Sequence, residues 1–254
     1  AAALSATSAL IPVSCNGLAT GAINITAANG TGNYTYAWVA SNGGALNNNA
    51  ANTEDLTAIV AGTYTCTITD ANGCQLVHAK TVTQPVTLSA TSVVTNVTCN
   101  GLATGAINIT AANGTAGYTY AWAVSNGGNL NANAANSEDL TAVVAGTYTC
   151  TITDAQGCQL VHAKAVTQPA SLAASISSSA NVSCNGGSDG SATVSVSGGT
   201  SPFSYSWVNS STPGTVVSIG ASTSSILSAG TFVCTVTDDN GCTTTASVTL
   251  TQPV

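Results

Sequence analysis

Nine cysteines, two histidines, two lysines and nine carboxylates are the side chains of this 254-residue sequence best suited to chemistry. The cysteines are ordered. Cys15, Cys66 and Cys74 recur as Cys99, Cys150 and Cys158, and again as Cys184, Cys234 and Cys242. The spacing is 84 residues, with one interval of 85. Three cysteines at equivalent places in each copy, without a metal or redox motif, read as structural thiols. They point to an oxidising compartment outside the cytoplasm. A second set sits in two copies only: Glu54 and Asp55 with His78 and Lys80, and Glu138 and Asp139 with His162 and Lys164. Their joint presence fits a salt bridge or a carboxylate-assisted lysine isopeptide crosslink, and it equally fits a recent duplication of the whole unit.

The elements that carry these residues read as strands. Gly21-Ala-Ile-Asn-Ile-Thr26, Tyr34-Thr-Tyr-Ala-Trp38 and Tyr64-Thr-Cys-Thr-Ile-Thr69 alternate large or apolar residues with small polar ones, the period of half-buried strands. No segment holds a helical period. Short strands between Gly and Asn clusters predict an antiparallel sandwich of about seven strands per copy. Gly73, Gly157 and Gly241 stand where a three-residue hairpin places its left-handed residue. In that register Asp70 opposes Cys74, Ile68 opposes Leu76 and Cys66 opposes His78. Cys66 and Cys74 are then about 13 Å apart along the ladder, beyond the roughly 7 Å a disulfide spans. Cys15 is left to bond one of them, and an immunoglobulin-like strand order makes Cys66 the nearer. Either way one thiol per copy remains, as a small buried hydrophobe or as a covalent link to the next repeat or chain.

Tyr34, Tyr36 and Trp38 share one face of a strand, as do their counterparts ending in Trp122 and Trp207. The stripe is either a sugar-stacking platform or the Trp plug of a sandwich core. The loop at Asp70 offers a single carboxylate, against the roughly six to eight oxygens calcium prefers. No metal and no cofactor is expected. No nucleophile-base-acid set, paired catalytic carboxylates or phosphate-binding loop recurs, so no enzyme is expected either.

Charged residues make up 4% of the chain and the net charge is -7. With two lysines and no arginine, it lacks the means to hold nucleic acid or anionic lipid. No apolar run approaches the roughly 20 residues of a spanning helix, so no membrane insertion is expected. A surface poor in charge has little long-range repulsion between copies, which is compatible with self-association and equally with a dilute, glycosylated stalk. Ala1 takes the place of Pro85, so the segment is expected to begin inside a longer protein. The expected architecture is all-β: three tandem immunoglobulin-like antiparallel β-sandwich repeats of about 84 residues, at 1–85, 86–169 and 170–254.

Cys-Asn-Gly, Tyr-x-Tyr-x-Trp, Ala-Gly-Thr-Tyr, Thr-Asp-x-Asn-Gly-Cys and Thr-Gln-Pro follow one another in each copy, with variants such as Phe203 and Gln156. This order resembles the SprB-type repeat of Bacteroidota cell-surface adhesins, over the entire chain. The resemblance implies a long secreted filament of tandem immunoglobulin-like or PKD-like domains, exported by the type IX route and serving attachment or gliding motility. Its partners would be further copies of itself, extracellular surfaces or polysaccharide. It also implies two cysteines per repeat that pair with each other, corresponding to Cys15 and Cys74, with Cys66 as the extra thiol. That stands against the strand-order argument for Cys15 and Cys66. An array of carbohydrate-binding modules is the alternative function.

Overall fold

The computed structural model describes residues 3–223 and 226–254. Every regular element in it is a β-strand. Contacts group the chain into two compact units. One comprises Ala1–Ser92, Ile109–Trp122 and Cys150–His162; the other comprises Val93–Asn108, Ala123–Thr149 and Ala163–Val254. The first unit thus contains the first copy of the repeat with part of the second, and the other contains the rest of the second with the third.

In the first copy the strands are β1 (Ser5–Ile11), β2 (Gly21–Ala28), β3 (Thr35–Ser41), β4 (Leu56–Ile59), β5 (Gly62–Thr69) and β6 (Gln75–Val82). They form two antiparallel sheets, ordered β1-β2-β4 and β3-β5-β6. The β5–β6 ladder has Cys66 opposite His78 and Ile68 opposite Leu76, the register expected from the hairpin glycine. Tyr64, Cys66 and Ile68 are fully buried, while Thr63, Thr65, Thr67 and Thr69 alternate with them toward the surface. The core joins Val13, Ile23, Ile25, Trp38, Leu56, Ile59 and Val82 to that inner row of β5. Trp38 is therefore the core plug, and its indole N–H donates to the Thr53 carbonyl at 2.9 Å. Tyr34 and Tyr36 lie half-buried against the same cluster, so their rings are not an open stacking platform.

Among the described residues of the first copy six strands form, against the expected seven or so. Between β3 and β4 the Asn-rich segment is held by side-chain amides. Asn49 Oδ1 accepts from Thr57 N at 3.0 Å and its Nδ2 donates to Thr57 O at 2.7 Å. One side chain thereby makes the paired bonds that a strand backbone would make, and Asn133 repeats the pattern on Thr141. Leu56 and Ile59 are both buried although three positions apart, a spacing that a regular strand would send to opposite faces. Ala58 in the left-handed region, at φ 50°, and a register shift between β2 and β4 reconcile them.

The second copy has β7 (Ser89–Thr95), β8 (Gly105–Ala112), β9 (Thr119–Ser125), β10 (Leu140–Val143), β11 (Gly146–Thr153) and β12 (Gln159–Val166), in sheets β10-β8-β7 and β12-β11-β9. The third has β13 (Ala173–Ala180), β14 (Ser191–Ser197), β15 (Ser204–Asn209), β16 (Val216–Ser218), β17 (Gly230–Thr237) and β18 (Thr243–Leu250). There the fourth strand changes sheets, giving β13-β14 and β16-β15-β17-β18. Trp207 is fully buried beside Cys234, its partner across the ladder.

Candidate functional site: the cysteine joint

Two local constructions present the cysteines. The first is the loop at Cys15. Leu18 N donates to Cys15 O at 3.1 Å, closing a turn in which Gly17 adopts φ +78°. This conformation is open to glycine at little cost. Gly17 N then donates to Gln84 Oε1 at 2.8 Å, and Asn16 Nδ2 donates to Pro85 O at 3.0 Å. The Cys-Asn-Gly and Gln-Pro motifs, which in the sequence serve only as markers of the period, are thus two halves of one clamp. It recurs as Gly101 on Gln168 with Asn100 on Pro169, and as Gly186 on Gln252 with Asn185 on Pro253.

The second construction is the hairpin before Cys74. Asp70 Oδ1 accepts from Asn72 N and Cys74 N, and Oδ2 accepts from Thr31 N, all within 3.0 Å. The backbone amides of Thr31 and Cys74 hold its carboxyl below the usual carboxylate range, overriding partial burial. Asp154 is likewise low: burial pushes it up, but the amides of Thr115, Cys158 and Gln156 prevail. Asp238 makes the same three contacts with Thr200, Asn240 and Cys242. Asp70 and Asp154 thus each accept three backbone N–H bonds, which favour the ionised carboxylate.

The constructions meet between successive repeats. Cys15 is bonded to Cys158 and Cys99 to Cys242, with Cα separations of 5.6 and 5.7 Å. Both partners of each bridge lie within one compact unit. Cys158 Sγ is 3.4 Å from Ser14 O, and in the next joint Asn240 Nδ2 donates to Thr98 O at 3.0 Å.

This corrects the pairing expected within a repeat. Val13 N donates to Thr83 O, which puts the Cys15 loop at the Val82 end of β6, whereas Cys74 precedes its Gln75 end. Eight residues of strand separate them by roughly 24 Å. Cys66 sits mid-strand, about 13 Å from that end, with its side chain in the core. Neither reaches Cys15. Cys66, Cys150 and Cys234 are buried free thiols, while Cys74 and Cys184 are free and exposed. Burial raises the Cys66 and Cys150 thiols and pushes Cys234 up to about 11.

Of the acid and base sets, Glu54, Asp55, His78 and His162 each contact a separate neighbour. Glu54 accepts from the Tyr36 hydroxyl at 2.9 Å, and Asp55 Oδ1 accepts from Ile25 N at 2.9 Å. His78 Nε2 is 3.1 Å from Ser8 Oγ, tying β6 to β1, and His162 Nε2 is 3.0 Å from Ser92 Oγ. Partial burial and the Glu54 contact push the Tyr36 phenol up to about 12. A further residue escaped the sequence reading. Tyr64 Oη donates to Val60 O at 2.8 Å and accepts from Ala45 N at 3.1 Å, the tyrosine corner of immunoglobulin-like domains. Its signal was the recurring Ala-Gly-Thr-Tyr.

A family model described as SprB repeat matches residues 7–44, 91–129 and 176–212. The chain carries three SprB repeats. The matched segments include Cys15, Cys99 and Cys184 but stop before the hairpins that supply Cys158 and Cys242. The first two matched segments are therefore bonded, through Cys15 and Cys99, to a residue of the following copy that lies outside the matched segment. Among solved structures, the N-terminal eight immunoglobulin domains of Down syndrome cell adhesion molecule align at 12% identity over 99% of this chain and 43% of that one, with a TM-score of 0.40. A C-terminal fragment of intimin, crystallised with the intimin-binding domain of its translocated receptor, aligns at 17% identity over 74% of this chain and 71% of that one, with a TM-score of 0.37. The SprB-repeat chain thus spans less than half of the first. No curated relative matches the sequence. Among the described residues, no helix is long and apolar enough to cross a membrane.

Proposed function

We infer that this chain is a structural segment of a secreted, cell-surface filament or adhesin, transmitting force during attachment or gliding rather than catalysing a reaction. The observation that carries this reading is the bridging of each repeat to the next by a disulfide. A bridge within a domain stabilises that domain alone; a bridge between domains keeps the joint closed under load. The disulfides also suit an extracellular setting, where such bonds persist, and three SprB repeats agree with a surface protein. The half-buried tyrosines and the amide-bonded Asp70 and Asp154 serve to hold the core and the hairpins together.

Imaging of cells that make the protein, with antibodies raised against this chain, tests the proposal. Labelled filaments outside the cell, with an axial repeat matching one or a few domains, are the expected result. Label confined to the cell interior, or to dispersed monomers in the medium, would remove it.

A further inference from the structure

We propose that Cys150 and Cys234 are exchange partners for the two bridges: in the unfolded chain each is bonded to the cysteine eight residues on, Cys158 or Cys242, and formation of the hairpin between them hands that bond to Cys15 or Cys99. This chemistry concerns how the bridges are made and does not depend on whether the segment carries load.

The two joints hold the same three sulfurs. In each, one half of the bridge is followed back along its own strand pair by a free thiol buried in the core: Cys150 before Cys158, and Cys234 before Cys242. All three sulfurs of a joint lie in one compact unit, Cys15, Cys150 and Cys158 in the first and Cys99, Cys234 and Cys242 in the second.

The unfolded and the folded chain favour opposite pairings. Eight residues separate Cys150 from Cys158 and Cys234 from Cys242, whereas each bridge spans 143. Loop closure alone therefore favours the short pair in the unfolded chain by roughly 50- to 100-fold. Each short segment contains a glycine and no proline, so nothing stiffens it against closing. The folded hairpin forbids that pair. Asp154 N donates to Cys158 O and Asp238 N to Cys242 O, both at 3.0 Å, which sets each bridging cysteine opposite the aspartate. Cys234 pairs with Ala246, four residues beyond Cys242. The two sulfurs that were neighbours in the coil are then held about 13 Å apart along the ladder, beyond the roughly 7 Å a disulfide spans. The same hairpin turns Cys158 and Cys242 to the Cys15 and Cys99 loops, at Cα separations of 5.6 and 5.7 Å.

The released thiol is also kept from returning. Cys150 and Cys234 are fully buried, and burial raises Cys150 and pushes Cys234 up to about 11. The thiolate, which is the attacking form, is scarce there at neutral pH.

The steps balance as thiol–disulfide exchange. Glutathione disulfide is the oxidant. The Cys158 thiolate attacks one of its sulfurs and one glutathione leaves as thiol; the Cys150 thiolate then attacks the Cys158 sulfur and displaces the other. In the transfer, the Cys15 thiolate attacks the Cys158 sulfur, the Cys150–Cys158 bond breaks, and Cys150 leaves, takes a proton and is enclosed by the core. That step consumes no oxidant, because one disulfide replaces another. Cys234, Cys242 and Cys99 follow the same course.

The test uses oxidised chain carrying Cys74→Ser and Cys184→Ser, two exposed cysteines outside the bridges. The chain is unfolded in urea at mildly alkaline pH without reductant, alkylated, and mapped by non-reducing mass spectrometry. Cys150–Cys158 and Cys234–Cys242 are expected to replace the native bridges, with Cys15, Cys99 and Cys66 alkylated. Diluting the urea without any oxidant is expected to restore Cys15–Cys158 and Cys99–Cys242. Native bridges that persist in urea, or Cys66 entering disulfides as often as Cys150 and Cys234, would overturn the proposal. A second measurement follows oxidation of the fully reduced chain by glutathione disulfide during refolding. Cys150→Ala is expected to slow formation of Cys15–Cys158 by roughly tenfold or more and to leave Cys99–Cys242 at its usual rate. Cys66→Ala opens the same hole in another core and is expected to slow neither. Equal rates for Cys150→Ala and Cys66→Ala would reduce Cys150 to a packing residue and sink the exchange.

Discussion

Nine identical thiols divide into three chemical kinds according to where the strands put them. Cys66, Cys150 and Cys234 face the core on the central strand of a sheet, where burial disfavours the thiolate and excludes reagent. Native alkylation with iodoacetamide is therefore expected to label Cys74 and Cys184 only, and alkylation in denaturant all five free cysteines; labelling of Cys66 in the native protein would contradict this burial. The carboxylates of Asp70 and Asp154 contribute to the acid limb of stability. Their folded values lie below the ordinary carboxylate value of about 4, so the unfolded chain takes up protons first as pH falls. Their stabilisation is whole above that value and is lost as pH drops through the folded value. Urea midpoints measured down to about pH 3 should fall for the wild type and fall less steeply for Asp70→Asn with Asp154→Asn, which also starts from a lower midpoint at neutral pH.

At the scale of elements, β5 is the organiser. Its first turn brings Gly62 so near Gly44 that a Cβ there would lie 2.2 Å from the Gly44 nitrogen. Gly62→Ala must push backbone against backbone, at a cost of about 1–3 kcal/mol in thermal or denaturant melts. Two residues on, Tyr64 satisfies the Val60 carbonyl and the Ala45 amide from inside the core. Removing its hydroxyl in Tyr64→Phe leaves both unpaired and should cost about 1–2 kcal/mol. The third copy already has Phe232 in this place, so Phe232→Ala should act there through lost packing alone. The strand alternation and the hairpin register of this element were legible in the sequence because period two and a left-handed glycine are local properties. The missing seventh strand was not legible, because Asn49 replaces a backbone ladder with a side chain, and no period records that.

For the whole molecule, the overlap of the two bridges shortens the covalent path. From Cys15 the path crosses to Cys158, runs back over the 59 residues to Cys99, and crosses to Cys242. Without the bridges the same two points are joined by 227 residues. Fully extended, the bridged path reaches about 200 Å and the reduced one about 800 Å. Single-molecule pulling between handles at these two ends should therefore release roughly four times more contour length after reduction. Equal lengths with and without reductant would show that the bridges do not bear the load. Each bridge also closes a span of 143 residues, which by loop entropy alone corresponds to about 5 kcal/mol, although overlapping loops do not add in full.

The sequence by itself determined the period, the all-β alternation, the core tryptophans, the hairpin register and the SprB resemblance. Each is written in spacing along one chain, and spacing survives without knowledge of neighbours. Which cysteines bond was decided only by tertiary structure. Cys15 and Cys74 stand at opposite ends of β6 in one repeat, too far apart to meet, while the loop of each repeat faces the hairpin of the next. A one-dimensional pattern that repeats perfectly cannot say whether its members pair within a period or across it.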